Sequence, residues 1–182
     1  MKKLLSLAAL LAVACKKEAA DPGPTGANTF SCRIEGRDFT PYISPASQPF
    51  TGPKIKALDI GYDKDRHALI LNARTTGEKL ELYVRPTRGQ GVYALGYTQG
   101  TYPYDLRPSD YGGYSVAPVL TDPYGSTIFN RYTTDATNTG TVTITRFDTV
   151  AHVAGGTFAY TARAAATGQV VHVTNGKFDV KF

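Results

Sequence analysis

The chain of 182 residues has no tryptophan, one methionine, two cysteines and three histidines. His67, His152 and His172 stand far apart and in no H-x-H or H-E-x-x-H spacing, so the sequence carries no recognisable zinc motif. No G-x-S-x-G elbow offers a serine nucleophile. Basic residues are scattered from Arg33 and Arg37 to Lys177 and Lys181, without the basic run interleaved with aromatics that a nucleic-acid surface requires. No stretch of about 20 apolar residues could cross a bilayer as a helix, and none repeats with a helical period. These scarcities lead to an expectation of a non-enzymatic protein with no cofactor, no metal and no nucleic-acid partner.

What is present begins at the amino terminus. Lys2 and Lys3 precede LLSLAALLAVA and then Cys15, a cationic head and a short apolar run with small residues before a cysteine. Ala12-Val13-Ala14-Cys15 resembles the lipobox of bacterial lipoproteins, with the usual leucine displaced to Leu11. The resemblance implies that residues 1–14 are a removable signal and that Cys15 is lipidated and becomes the first residue of the mature chain. Several acyl chains give lasting attachment, at about 0.8 kcal/mol per buried methylene. The alternative is ordinary secretory cleavage after Ala14, with Cys15 incidental. Residues 15–27, CKKEAADPGPTGA, are polar and rich in Pro and Gly, which reads as a flexible tether.

Residues 28–182 suffice for one domain with its own core. Losing Lys2 and Lys3 lowers the formal charge of +5 by two, an ordinary value. Cys32 is then the only cysteine left; it shares a strand face with Phe30 and Ile34 and reads as a buried thiol, because a nucleophile would need a histidine to lower its pKa.

Short runs of Val, Ile, Thr, Tyr and Phe between Gly, Pro, Asn and Asp make this an all-β chain, expected to fold as a single antiparallel β-sandwich, with a closed or partly open β-barrel as the alternative. Gly36 turns a first hairpin, and four prolines make 41–54 a loop or edge segment. A meander follows. Its last strand points Leu80, Leu82 and Val84 inward and Lys79, Glu81, Tyr83 and Arg85 toward water, while the apolar residues that run together within 68–73 fit a strand covered on both faces. Further strands are expected near 91–97, 114–120 and 126–132, then three or four at the carboxyl end, where Phe158, Tyr160 and Ala162, and Phe178, Val180 and Phe182, alternate inward and Asn175-Gly176 reads as a type I′ hairpin. His67 and His172 read as strand residues.

The start CKKE resembles small lipoproteins of Bacteroidota, in which charges after the lipidated cysteine direct export to the cell surface; here Glu18 is the one acid. The NTFSCRIEGRDFTP opening and the closing TVTITRFD and GGTFAYTARAAATGQVVHVTNGKFDVKF resemble a group of those lipoproteins that has no established activity. The resemblance implies an outer-membrane lipoprotein facing the cell surface, or the periplasm as the competing orientation.

Asp59, Asp63 and Asp65 lie near one turn, but without calcium-loop spacing and with Lys64 and Arg66 among them, so a solvated turn is expected. Asp105, Asp110, Asp122 and Asp135 offer carboxylate pairs of no distinctive spacing. Residues 86–140 hold eight of the twelve tyrosines, and YPYDLRPSDYGGY reads as a long exposed loop. Tyrosine combines a flat apolar ring with a polar tip, which suits contact with a protein or a glycan. Tyr102, Tyr104, Asp105, Arg107, Tyr111 and Tyr114 are therefore the candidate binding residues. Half-buried strand tyrosines would be the bland reading. The leading expectation is a membrane-tethered binding module, the alternative a structural envelope component, and a lipocalin-like carrier of an apolar ligand a third.

Overall fold

A computed structural model describes residues 23–86, 88–96, 110–116 and 130–182. The fold is an open β-sandwich of antiparallel strands with no α-helix among the described residues and a single 3-10 turn, Pro45–Ser47. β1 (Thr29–Ile34) and β2 (Arg37–Phe39) form the first hairpin. Its turn residues Glu35 and Gly36 both have positive φ, 50° and 76°, as a two-residue type I′ loop requires. The expected meander follows as β3 (Leu58–Asp63), β4 (Ala68–Arg74) and β5 (Glu78–Val84). β6 (Gly91–Leu95), β7 (Tyr111–Val116) and β8 (Asn130–Thr133) complete the middle. β9 (Gly140–Asp148), β10 (Val153–Ala164) and β11 (Val170–Lys181) are the long closing strands.

One layer runs β3-β4-β5-β7-β8, the other β2-β1-β11-β10-β9-β6. β10 joins them. Along one edge it pairs with β9 over 153–160 and then with β8 at Arg163 and Ala164, turning the corner from one layer to the other. The layers also meet through side chains: the Tyr62 ring of β3 packs on Phe147 and Phe182 at 5.6 and 5.2 Å, and Arg37 of β2 pairs with Glu78 of β5. A parallel bridge between Tyr42 and Thr75 adds a further tie.

The core between the layers includes Phe30, Cys32 and Ile34 of β1, Leu80, Leu82 and Val84 of β5, Phe158 and Tyr160 of β10, and Phe178 and Val180 of β11. These are the inward positions expected from alternation. Burial pushes the Cys32 thiol up to about 12, so it is inert at neutral pH. Three turns share one device: Asp63, Asp135 and Asp148 each accept the backbone N–H groups two and three residues ahead, at 2.6–3.0 Å.

Several expectations require correction. Asn175-Gly176 is no hairpin: β11 runs through it as one strand, with a register shift opposite Phe158 and Tyr160. Asn175 alone of the pair has positive φ, 53°, so a bulge forms instead of a type I′ turn. Gly176 is needed for another reason, since a Cβ there would stand 2.5 Å from the Phe158 ring. His67 lies in the β3–β4 turn at φ 50° and not in a strand, whereas His172 is in β11. Residues 24–27, assigned by composition to the tether, lie against the domain: Thr25 and Gly26 donate to Asp179, and Arg146 donates to the Pro24 carbonyl at 2.7 Å.

Candidate functional site

Of the candidate residues, Cys15, Tyr102, Tyr104, Asp105 and Arg107 lie outside the described residues. Tyr111 and Tyr114 lie within them, and neither belongs to an exposed loop. Both are in β7, 8% and 6% exposed. Three positions apart on a strand, they point to opposite faces, so they cannot line one surface. The Y-G-G-Y composition that suggested a loop has a packing cause. The ring of Tyr160 lies against Gly112, where a Cβ would stand 2.8 Å from it, and the Tyr160 hydroxyl donates to the Gly113 carbonyl at 2.8 Å.

On the core side, Tyr114 donates to Glu78, which also receives Arg37, and its ring lies 5.8 Å from that of Tyr132. Burial first, and then the bond to Glu78, pushes the Tyr114 hydroxyl far above its usual range. Tyr93 donates to the Gly89 carbonyl and pins the turn before β6. The described members of the tyrosine-rich region are thus largely spent inside the fold.

The outward side of β4, β5 and β7 is unlike a wet sheet face. Ala68, Tyr83 and Tyr111 form a second buried cluster with Ile70 packed against it. The rings of Tyr83 and Tyr111 stack at 5.6 Å with 9° between their planes. Beside them Glu81 receives Lys79 at 2.7 Å and the Tyr111 hydroxyl. Burial alone would raise the Glu81 carboxyl, but those two hydrogen bonds together with the charges of Lys79 and Arg131 outweigh it and hold the group below the ordinary range. Burial and the same bond push Tyr111 up.

This cluster passes into a cavity of about 390 Å³ lined by Asp65, Arg66, His67, Tyr83 and Arg85. Asp63 positions Arg66 through a 2.6 Å bond, and Asp110 positions Arg85 through a 2.8 Å bond. His67 Nδ1 lies 3.3 Å from the Tyr62 hydroxyl. The Asp63 oxygens are taken by the Asp65 and Arg66 backbone N–H groups and the Arg66 guanidinium, so Asp63 braces the turn that carries Asp65, while Asp59 lies within β3.

Alternation placed Tyr83 in water because it reads one strand at a time. The usable signal was in β4: a strand whose Ala68 and Ile70 are apolar on its second face needs a covering neighbour, and register puts Tyr83 opposite Ile70.

No curated protein and no solved structure matches the chain. Residues 56–180, from just before β3 to near the end of β11, match the family described as a domain of unknown function, DUF6252. With that match extending over more than half of its length, the chain belongs to the DUF6252 family.

Proposed function

We propose that the mature chain is a lipid-anchored protein of the bacterial cell envelope, attached to the outer membrane through Cys15, and that its domain is a non-enzymatic binding module for a protein or glycan partner. The anchor rests on the leader and on Ala12-Val13-Ala14-Cys15. The observation that carries the binding module is the outward face of β4, β5 and β7, where the buried Tyr83, stacked on Tyr111, borders a polar cavity. A face that only contacts water has no need of either.

Gly96 and Asp110, which flank the segment 97–109 with its Tyr102, Tyr104, Asp105 and Arg107, lie beside that face. Gly96, before it, donates to the Asp110 carbonyl at 3.0 Å, and Asp110, after it, holds Arg85. The non-enzymatic reading draws support from the groups with shifted pKa values. Cys32, Tyr111, Tyr114 and Tyr160 are raised, while Glu81, Asp63, Asp135, Asp148 and Asp179 are lowered, all away from the neutral range where a proton-transfer group works best.

The structural-component reading is favoured by one observation, the burial of Tyr111 and Tyr114. The lipocalin-like carrier requires a closed barrel, and the sheet is open between β2 and β3.

Two experiments test the proposal. On fractionation, the wild type is expected in the outer membrane and Cys15→Ala in the soluble fraction with its fold unchanged; firm membrane attachment of that variant would overturn the anchor. For the binding face, a photoreactive side chain replacing Lys79 should give a discrete adduct in the native envelope, and one replacing Thr157, outward on the other layer, should give none. Adducts at position 157 alone would overturn the assigned face.

A further inference from the structure

The segment between β2 and β3 carries an apolar tip that the fold does not use. Pro41, Pro45, Pro49 and Pro53 restrict its backbone. Its base is tied to the β4–β5 turn: the Tyr42 N–H donates to the Arg74 carbonyl at 2.9 Å, and the Ser44 N–H to the Thr76 hydroxyl at 3.4 Å. Gln48 closes the neck. Its side-chain amide donates to the Ile55 carbonyl at 3.0 Å, and its side-chain oxygen receives the Ile55 N–H at 2.8 Å. Lys54 adds a bond to the Pro49 carbonyl at 3.0 Å. The tip is thus held in shape, and it holds Phe50 in water, the most exposed large apolar side chain among the described residues. Ordering a loop costs entropy, and a phenyl ring gains by burial, so a braced loop that displays one is arranged for contact.

Beside the base of the same segment lies a cavity of about 290 Å³ with a mostly apolar wall. Ile43 and Ile55 come to it from the segment, and Thr75, Thr76 and Gly77 from the β4–β5 turn. Phe50 is not part of this lining, so the ring does not fold back into the cavity of its own chain. Lys79 of β5 and Ser115 of β7, paired on the outward face, line it as well. The cavity therefore sits at the rim of the face assigned to binding.

We propose that the partner of this rim is a second copy of the chain, with Phe50 of each copy seated in the Ile43–Ile55 cavity of the other. The inference rests on the binding-module reading and names its partner. Knob and hole belong to one patch, since Phe50 and Ile55 are five residues apart in one closed loop. A patch that carries both is self-complementary, as a two-fold interface requires. An unrelated protein would have to bring a separate ring and a separate hollow, whereas a second copy supplies the two together. The sizes agree: a cavity of about 150 Å³ holds a benzene ring, so this one accepts a phenyl group with its methylene. The exposed Tyr42, bridged to Thr75, and Ile55 widen the apolar surface around the contact. Two rings alone bury roughly 300–500 Å², below the ~1,000 Å² of a lasting interface, so monomer and dimer exchange.

The test is sedimentation equilibrium of the soluble Cys15→Ala protein over a range of concentrations, and the expected result is a reversible monomer–dimer equilibrium. Phe50→Ala should weaken it about thirtyfold or more, the loss for truncating a central aromatic anchor. That variant removes a fully exposed side chain and should melt like the parent. Gly77→Leu should also weaken association: a Cβ there meets nothing within 4 Å, so a larger side chain has room to take up the cavity without disturbing the fold. Mixing the two variants should restore association above that of either alone, because the ring of one still meets the open cavity of the other. Val150→Ser, which removes another exposed apolar side chain in the β9–β10 turn, should change nothing. Monomer alone at every concentration, or a dimer that survives Phe50→Ala, overturns the inference. In the native envelope, a photoreactive phenylalanine at position 50 should give an adduct of twice the mass of the chain, joined to residues 74–79; an adduct to a different protein overturns the second copy as partner. If the second copy fails while a photoreactive side chain at position 79 still captures another molecule, this inference falls and the binding module stands. If position 79 gives no adduct either, the reading beneath it falls as well.

Discussion

The two layers of the sandwich turn the same sequence pattern into different surfaces. On the β9–β10–β11 layer the outward positions form a row across five strands, Val92, Thr143, Thr157, Lys177 and Ser31, paired one to the next. Apart from the half-buried Thr143, all are partly or fully open to water, and their small or flexible side chains bury little. On the β4–β5–β7 layer the outward positions include Tyr83 and Tyr111, stacked and buried, with Glu81 held between Lys79 and a tyrosine hydroxyl. Alternation alone cannot tell these faces apart. What separates them is whether neighbouring strands place large rings side by side, which depends on register and not on period.

The largest effect should come from removing the strand on which the wetter layer is built. Deleting residues 177–182 takes Phe178 and Val180 from the core and strips β1 of much of its partner. Calorimetry is expected to show no cooperative transition, and a cooperative melt would show that β11 is dispensable.

Two adjacent glycines sharpen the comparison within one strand. A Cβ at Gly112 would stand 2.8 Å from the Tyr160 ring, whereas one at Gly113, on the outward face, would meet Glu81 at an ordinary 3.7 Å. Gly112→Ala should cost about 2 kcal/mol by overpacking. Gly113→Ala should be neutral or stabilising by about 0.5 kcal/mol, because it restricts the unfolded chain without strain. Equal losses in denaturant titrations would contradict the assignment of faces.

A smaller effect concerns acid. The Glu81 carboxyl is depressed below its ordinary value of 4.5, so the folded state releases its proton more readily than the unfolded state. Its contribution is complete above about pH 4.5 and is lost as the pH falls through the folded value. Glu81→Gln should therefore lose less stability than the wild type between pH 7 and pH 4, as read from melting temperatures. The depressed Asp63, Asp135 and Asp148 at the turns remain in the variant and keep its acid sensitivity above zero. An unchanged slope would remove Glu81 from the set of coupled groups.

Much of the fold was legible because its rules are local. The alternation of β5, the Glu35–Gly36 turn and the inward Phe158, Tyr160, Phe178 and Val180 follow from period and turn chemistry. The failures came where a residue serves a distant partner. Asn175-Gly176 looked like a turn, yet its glycine seats the Phe158 ring from the neighbouring strand. Gly112 and Gly113 looked like loop, yet Tyr160 needs one for space and the other for its carbonyl. The candidate site was less legible still. Tyr111 and Tyr114 were grouped by closeness in sequence, and strand geometry sends them to opposite faces. Arg66, Tyr83 and Arg85 meet only through the β3–β4–β5 register, which no single segment displays.

Two buried tyrosine hydroxyls differ in kind. Tyr160 spends its hydroxyl on Gly113, while Tyr83 keeps its own unspent among the described residues. The direct measurement is the unfolding free energy of Tyr160→Phe beside Tyr83→Phe without added ligand. The expected result is a loss of about 1–2 kcal/mol for Tyr160→Phe, which leaves a buried carbonyl without its donor, and no loss for Tyr83→Phe. A comparable loss in Tyr83→Phe would mean that its hydroxyl is already committed to the fold, and would contradict the account.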